Sequence, residues 1–376
     1  MARWLAREGA EHLVLTSRRG PDAPGADELR AELEELGVQV TIAACDVADR
    51  DAVAGLLDGL AADGHTLRAV IHAAALIELA PLATTTLGDF AEIVAAKVAG
   101  AIVLDELLSE GDRGADLDAF VLFSSIAGVW GSGDHAAYAA ANAHLDALAE
   151  HRRARGLTAT SIAWGVWNVV NPHESGSAPI DVDPEQLRRQ GLPFLDPDLA
   201  FTGMRQTLDD DETFLALADV DWDQFVPVFT SRRARPLLAD LPDAQRVLAG
   251  QDGPAADGAD AGAGEPSTKA SALRERLTGL AGPERDRFLV DLVLTHAAAV
   301  LGYESAGALD PERAFREFGF DSLTAVDLRN RLGAATGLKL PTTVVFDHPN
   351  GTALAAYLRT QALGADTAAA PAPSSR

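Results

Sequence analysis

Four residues in the first half of the chain have types and spacing suited to proton transfer. Strand-like residues end in Ser124-Ser125, and Tyr138 follows thirteen positions after Ser125, on a helical stretch that also carries Asn142 at i+4. A phenol is a poor acid–base near neutrality unless a nearby cation lowers its pKa. Lys97, set in the apolar run Ala95-Ala96-Lys97-Val98, is a candidate for that cation. Each residue alone has a plain alternative: a capping serine, a packed tyrosine, a solvated lysine. The set of four together favours chemistry.

Two further stretches suit a nucleotide. Thr16-Ser17-Arg18-Arg19-Gly20 closes a strand, and paired arginines there can clamp a phosphate; on a dinucleotide fold that place holds the adenosine ribose, and arginine favours a 2′-phosphate. A solvated basic turn is the alternative. Cys45-Asp46-Val47 ends the next strand, where Asp46 either accepts from an adenine amine or N-caps the following helix.

These residues need strands that end where the chemistry is. Apolar strand candidates are His12–Ser17, Val38–Asp46, Arg68–Ala75, Ala119–Ile126, Thr158–Gly165 and Thr213–Ala218. Helical patterns over Asp27–Leu36, Ala52–Ala62, Asp89–Leu108 and Ala136–Arg155 alternate with them. Buried strands alternating with amphipathic helices predict an α/β Rossmann-like, doubly wound parallel sheet, with ligands at the strands' carboxyl ends. Residues Gly250–Ser267 hold Gly, Ala, Asp and Pro with almost no bulky apolar residue, which reads as a linker. Helical periodicity returns at Arg287–Leu301, Leu323–Leu332 and Thr352–Tyr357, predicting a small all-α, four-helix domain. The expected division is 1–245, a linker over 246–270, the helical domain over 271–363 and a tail over 364–376.

Composition narrows the function classes. The 376 residues are 47% hydrophobic with net charge −25, enough for a sizeable core and too acidic to favour nucleic acid or an anionic membrane surface. The single cysteine, Cys45, permits no intrachain disulfide and no thiolate cluster, so no metal site is expected and the usage fits the cytoplasm. No apolar run reaches membrane-spanning length, and Met-Ala-Arg-Trp-Leu-Ala-Arg-Glu-Gly lacks the apolar region of a secretion signal.

The Ser125 to Tyr138 spacing resembles the short-chain dehydrogenase/reductase superfamily. Tyr-x-x-x-Asn with the lysine on the preceding helix resembles, more narrowly, the ketoreductase domain of modular type I polyketide synthases. His72-Ala73-Ala74-Ala75, Phe123-Ser124-Ser125, Trp130-Gly131-Ser132-Gly133 and Ser161-Ile162-Ala163-Trp164-Gly165 match as well. The resemblance implies that Tyr138 donates a proton to the developing alkoxide and that Ser125 holds the β-keto oxygen. Lys97 and Asn142 support the tyrosine and a proton relay. It implies hydride from NADPH, bound by Ser17, Arg18, Arg19, Asp46, Val47, Ala73 and Ala74.

It also implies stereocontrol. The Leu-Asp-Asp signature of D-hydroxyl members is absent at Ile77-Glu78-Leu79. Trp130, eight residues before the tyrosine, and His135, three before it, match members that make an L-hydroxyl, with an L-α-methyl if the extender is branched. An indole and an imidazole beside the cleft would decide the side from which the substrate arm enters. After Trp164-Gly165-Val166-Trp167 the family's glycine-rich turn is replaced by Asn168–Ser175, so no lid residues are carried over.

Phe318-Gly319-Phe320-Asp321-Ser322-Leu323 opens a helix with apolar Leu323, Val326, Leu328 and Leu332. A serine at a helix start is ordinarily an N-cap. This setting, with Val344-Val345-Phe346-Asp347-His348-Pro349, resembles acyl carrier proteins. The resemblance implies 4′-phosphopantetheine on Ser322, attached by a phosphopantetheinyl transferase. The partners it implies are a β-ketoacyl thioester substrate and other synthase domains, ketosynthase and acyltransferase.

Ketoreductases of this family begin with a strand and a Thr-Gly-Gly-x-Gly-x-x-Gly loop, whereas this sequence opens in the helix that follows them. The expectation is therefore that Met1 is an internal methionine of a longer synthase. The sheet should lack its central strand, leaving buried backbone groups unpaired, and NADPH binding by this chain should be weak or absent. Three readings follow: an NADPH-dependent β-ketoacyl reductase fused to its carrier, a non-catalytic carrier and docking fragment with a reductase remnant, and a reductase fused to a peptidyl carrier in a hybrid synthetase.

Overall fold

The computed structural model describes residues 1–76, 82, 84–111, 113–133, 135–167, 184–231, 235–251, 268–301, 303, 305–320 and 322–364. The chain divides into two compact units, Met1–Pro184 with Leu192–Asp219, and Glu185–Gly191 with the residues from Val220 onward.

The first unit holds six strands: β1 (His12–Ser17), β2 (Gln39–Ala44), β3 (Ala69–His72), β4 (Ala119–Ser125), β5 (Thr160–Trp164) and β6 (Phe214–Leu217). Every pairing is parallel. β5 is buried at each of its positions, as a strand covered on both faces must be. Its helices begin with α1 (Ala2–Arg7), α2 (Ala26–Glu35), α3 (Arg50–Ala62), α4 (Leu87–Val94), α5 (Gly100–Ser109), α6 (Ile126–Trp130) and α7 (Ala136–Ala154). Then follow α8 (Pro184–Arg189), which lies in the second unit from Glu185, and α9 (Pro197–Asp209).

The strands form two sheets, β1-β2 and β3-β4-β5-β6. Among the described residues no strand pairs with the free edges of β1 and β3, in line with the expected interruption. A second feature departs from the sequence reading. The helix expected over Asp89–Leu108 is α4 and α5 joined by a π turn at Ala95–Ala99. A π turn admits one extra residue and rotates the face that follows it. Here it carries Lys97 into the interior, only 3% exposed.

The second unit adds α10 (Trp222–Phe229), α11 (Pro242–Gln251), α12 (Thr268–Thr278), α13 (Gly282–Leu301), α14 (Ser322–Thr336), α15 (Val344–Asp347) and α16 (Gly351–Leu363). The core shared by α12 to α16 buries Leu277, Leu289, Val293, Leu328, Leu332, Leu354 and Leu358. Each aliphatic side chain removed from water contributes roughly 1.5–3 kcal/mol, which is what lets so short a segment hold together.

Candidate active site

β4 delivers Ser124 and Ser125 to its carboxyl end. The Ser125 hydroxyl accepts from the Ala127 amide at 3.2 Å and so caps α6. Gly131, at φ +82°, turns the chain after α6, and α7 then starts with Tyr138 in its first turn. Asn142 follows one turn later, fully buried, its Nδ2 donating to the Tyr138 carbonyl at 2.7 Å.

Lys97 reaches the same place from the π turn. Its Nζ donates to the Phe123 carbonyl and lies 5.3 Å from the centroid of the Tyr138 ring. The Lys97 carbonyl is fixed by the His72 Nε2, at 2.9 Å, at the end of β3. Ser125, Tyr138 and Lys97 therefore converge on a cleft of about 110 Å³ lined also by Ala73, Trp164 and Trp167, while Asn142 lies buried behind Tyr138 and does not line it.

The ionisable groups of the site are shifted chiefly by burial, and the lowering of the Tyr138 phenol expected from Lys97 is not found. Burial pushes the Tyr138 phenol above its usual range, and the nearby Ser125 and Asn142 side chains pull the other way without cancelling it. Burial lowers Lys97 to about 8, with the Asp146 carboxylate opposing the fall. Burial lowers His72 to about 4, so it is neutral and donates through Nε2. The Asn142 Oδ1 is buried with no partner, an acceptor available beside the tyrosine.

The residues expected to hold the nucleotide follow the carboxyl ends of β1, β2 and β3. Ser17 Oγ accepts from the Gly20 amide at 2.9 Å, which curls the turn so that Arg18 and Arg19 are both exposed. A Cβ on Gly20 would stand 2.3 Å from the Ala44 nitrogen, so only glycine lets this turn lie against β2. Asp46 accepts from Ala48 N at 3.0 Å, while the cap of α3 is Asp49, which accepts from Asp51 N and Ala52 N. The capping alternative for Asp46 therefore belongs to Asp49. Val47 and His72 both press on Gly100, where a Cβ would meet them at 2.7 and 3.0 Å. The ends of β2 and β3 thus meet at the head of α5. Ala73 lines the cleft; Ala74 is not among its lining residues.

His135 is brought near the tyrosine, with ring centroids 6.2 Å apart, and its Nδ1 is 2.9 Å from Ser132 Oγ. Trp130 ends α6, half-buried, and is not among the cleft-lining residues. Ile77, Glu78 and Leu79, and the run Asn168–Ser175, lie outside the described residues.

Ser322 is the first residue of α14, after Gly319 at φ +93° and Phe320, whose ring packs on Phe315 at 5.1 Å. Asp321 and the Ser322 side chain lie outside the described residues. Among the described residues no cluster of His, Cys, Asp or Glu could hold a metal, and no helix is long and apolar enough to cross a membrane.

Sequence reasoning passed over Asp146, whose Oδ1 accepts from Ser161 Oγ at 2.7 Å. The signal was present, since Tyr138, Asn142 and Asp146 recur every four residues on α7. It also passed over the aromatic wall of Trp164 and Trp167, with centroids 5.0 Å apart.

A parallel α/β unit with serine, tyrosine, lysine and asparagine at one strand end has the architecture of the short-chain reductases, and the comparisons narrow the class. Residues 1–169 match the KR domain family, and residues 291–358 match the phosphopantetheine attachment site family. Polyketide synthase GfsA of Streptomyces halstedii is 50% identical over 95% of this chain, which spans 4% of that protein. The pikromycin polyketide synthase component PikAIII of Streptomyces venezuelae is 52% identical over 95% of this chain, which spans 22% of it. Among solved structures, an A1-type ketoreductase is 52% identical with TM-score 0.59, covering 66% of this chain and 50% of that one. The chain therefore carries the ketoreductase domain of a modular type I polyketide synthase, followed by a phosphopantetheine carrier domain. It spans under a quarter of these curated relatives and about half of the solved ketoreductase.

Proposed function

We propose that the chain reduces the β-keto group of an acyl thioester to a β-hydroxyl, the acyl group being tethered to its own carrier domain. The observation that carries this reading is the convergence of Ser125, Tyr138 and Lys97 on one cleft, with Asn142 bonded to the Tyr138 carbonyl behind it. The proposed division is a reductase over 1–245, a linker over 246–270, the carrier over 271–363 and a tail over 364–376, supported by the two family matches.

The cofactor is NADPH, which supplies the hydride. Its fit rests on the exposed Arg18 and Arg19 at the end of β1, with Ser17, Asp46, Val47, Ala73 and Ala74 as further contacts on the next strand ends. Ser125 orients the ketone oxygen towards Tyr138. The phenol gives its proton as negative charge develops on that oxygen, and a donor acting in the transition state accelerates the step. The Lys97 ammonium stabilises the phenolate left behind, and Asn142 anchors the helix turn that presents it.

The carrier function places 4′-phosphopantetheine on Ser322. The amino end of α14 suits a phosphodiester, since free amides and the helix dipole favour negative charge there. The arm is attached by a separate phosphopantetheinyl transferase, and ketosynthase and acyltransferase domains are its other partners. Tethering raises the substrate's effective concentration at the cleft.

The product is the L-hydroxyl, and the L-α-methyl isomer if the extender is branched. His135 beside Tyr138 supports this, together with Trp130 at the end of α6.

The test uses this chain, and this chain joined to the part of the 52% identical ketoreductase that it does not span, each given NADPH and a β-ketoacyl thioester. The joined protein should consume NADPH and yield a β-hydroxyacyl thioester. Chiral chromatography should find the L-hydroxyl, and a predominant D-hydroxyl would overturn the stereochemical part. The free edges of β1 and β3 favour a second reading for this chain alone, a carrier with an inactive reductase. Turnover by this chain unaided would exclude it.

A further inference from the structure

We infer that His72 is a positioning residue: the hydrogen bond from its ring to the Lys97 carbonyl holds the π turn that carries the Lys97 side chain to the cleft. Its catalytic meaning rests on the proposed reductase role, whereas the placement of Lys97 is measurable without turnover.

β3 ends at His72, whose partner across the sheet is Leu122 on β4. The His72 residue is 3% exposed, and its Nε2 meets the Lys97 carbonyl at 2.9 Å. One residue beyond Leu122 is Phe123, whose carbonyl accepts from the Lys97 Nζ. Two paired strands therefore grip Lys97 at both ends, β3 by its backbone and β4 by its side chain.

The π turn needs an outside hold. Its Gly100 amide donates to the Ala95 carbonyl, five residues back, and also to the Lys97 carbonyl. Such turns are rare inside helices. Closing this one to an ordinary α turn would rotate the chain on its two sides by about 100° relative to each other, one residue's share of a helical turn. α5, on one side, is fixed against the strand ends: a Cβ on Gly100 would meet the Val47 side chain at 2.7 Å and the His72 ring at 3.0 Å. One ring thus packs on the head of α5 and bonds to the turn before it. Loss of the bond would let the turn close and draw Lys97 away from Phe123 and Tyr138.

Lys97, Lys269 and Lys339 are the chain's three lysines, so a protein labelled with 13C at lysine Cε gives three signals that can be followed singly. The Lys97 signal should titrate near 8 in the unmodified chain. His72→Leu keeps the bulk and removes the donor. Lys97 should then leave its buried place, and its midpoint should rise towards the ordinary 10.5. His72→Gln, whose amide nitrogen still donates, should hold the midpoint near the parent value, and the Lys269 and Lys339 signals should not move. An unchanged Lys97 midpoint in His72→Leu overturns the inference, as does an equal rise in both variants. If His72→Leu does not fold, the unmodified chain still decides: with 15N in its histidines, the neutral His72 ring should carry its proton on Nε2, and a proton on Nδ1 overturns the inference. In the joined, active protein kcat should fall by roughly tenfold to a hundredfold in His72→Leu, the cost of a displaced catalytic group, and recover in large part in His72→Gln. A Lys97 midpoint that moves while kcat stays would refute the catalytic role of Lys97 and leave the positioning by His72 standing.

Discussion

Lys97 and His72 are both buried, the His72 ring bonded to the Lys97 backbone carbonyl, and each side chain is shifted against its charged form. Their effects on stability fall in different pH windows. His72 drops from an ordinary 6.5 to about 4 on folding. Between those values the unfolded chain binds the proton and the folded chain does not, so stability falls as pH falls from 6.5 to 4. Lys97 drops from 10.5 to about 8. The same rule makes stability rise as pH rises from 8 to 10.5, where the folded lysine is already neutral. Each shift corresponds to roughly 3–3.5 kcal/mol. Urea unfolding at a series of pH values should therefore show a shallower acid loss in His72→Gln than in the unmodified chain. An identical slope between pH 6.5 and 4 would show that His72 titrates normally.

At the scale of elements, the site depends on how tightly α5, α7 and the strand ends are held. Arg152 on α7 is buried, ion-paired to Asp105 on α5 and stacked on Phe120 of β4, 3.9 Å from its ring centroid. Removing one partner of a buried pair leaves the other charge unpaired, so Asp105→Asn should cost about 3–5 kcal/mol. Thermal unfolding measures it, and a loss under about 1 kcal/mol would mean that the Ser109 hydroxyl and the Thr158 carbonyl, which also accept from Arg152, suffice for it. Gly20→Ala should cost about 2–3 kcal/mol, because φ +53° and the contact with Ala44 both disfavour a side chain. Calorimetry that finds Gly20→Ala as stable as the parent would show that the turn can open.

The strands were legible because each is a short apolar run bounded by turn residues, and all six candidates contain a strand. The π turn was not legible, since Ala95–Ala99 reads as ordinary helix and only the packing of Lys97 beneath β4 demands the extra residue. The convergence of Lys97 on Tyr138 was readable from residue types, whereas the tie between α7 and β5 through Asp146 was not. Asp146 looks like any polar residue on a helix until Ser161 is brought across from β5. The choice left open at Asp46 needed the structure for a similar reason: Asp46 and Asp49 are both suitable caps for α3, and only the backbone path chooses Asp49.

At the scale of the whole molecule, the net charge of −25 makes a paired cation a local exception, and Arg18 and Arg19 stand together at the end of β1. The carrier domain has its own core, so its loading should not depend on the reductase. A phosphopantetheinyl transferase with coenzyme A should add one arm to the chain, seen by mass spectrometry, and none to Ser322→Ala. A modified mass in that variant would move the attachment elsewhere.

The central claim is that this molecule reduces its own tethered acyl group by proton donation from Tyr138. The most direct measurement compares the joined, loaded protein with its Tyr138→Phe variant, following both NADPH-dependent turnover and NADPH binding. General acid catalysis contributes roughly 10²–10⁴-fold, so turnover should fall by about that factor while the NADPH Kd stays nearly unchanged. Near-parental turnover in Tyr138→Phe would contradict the account.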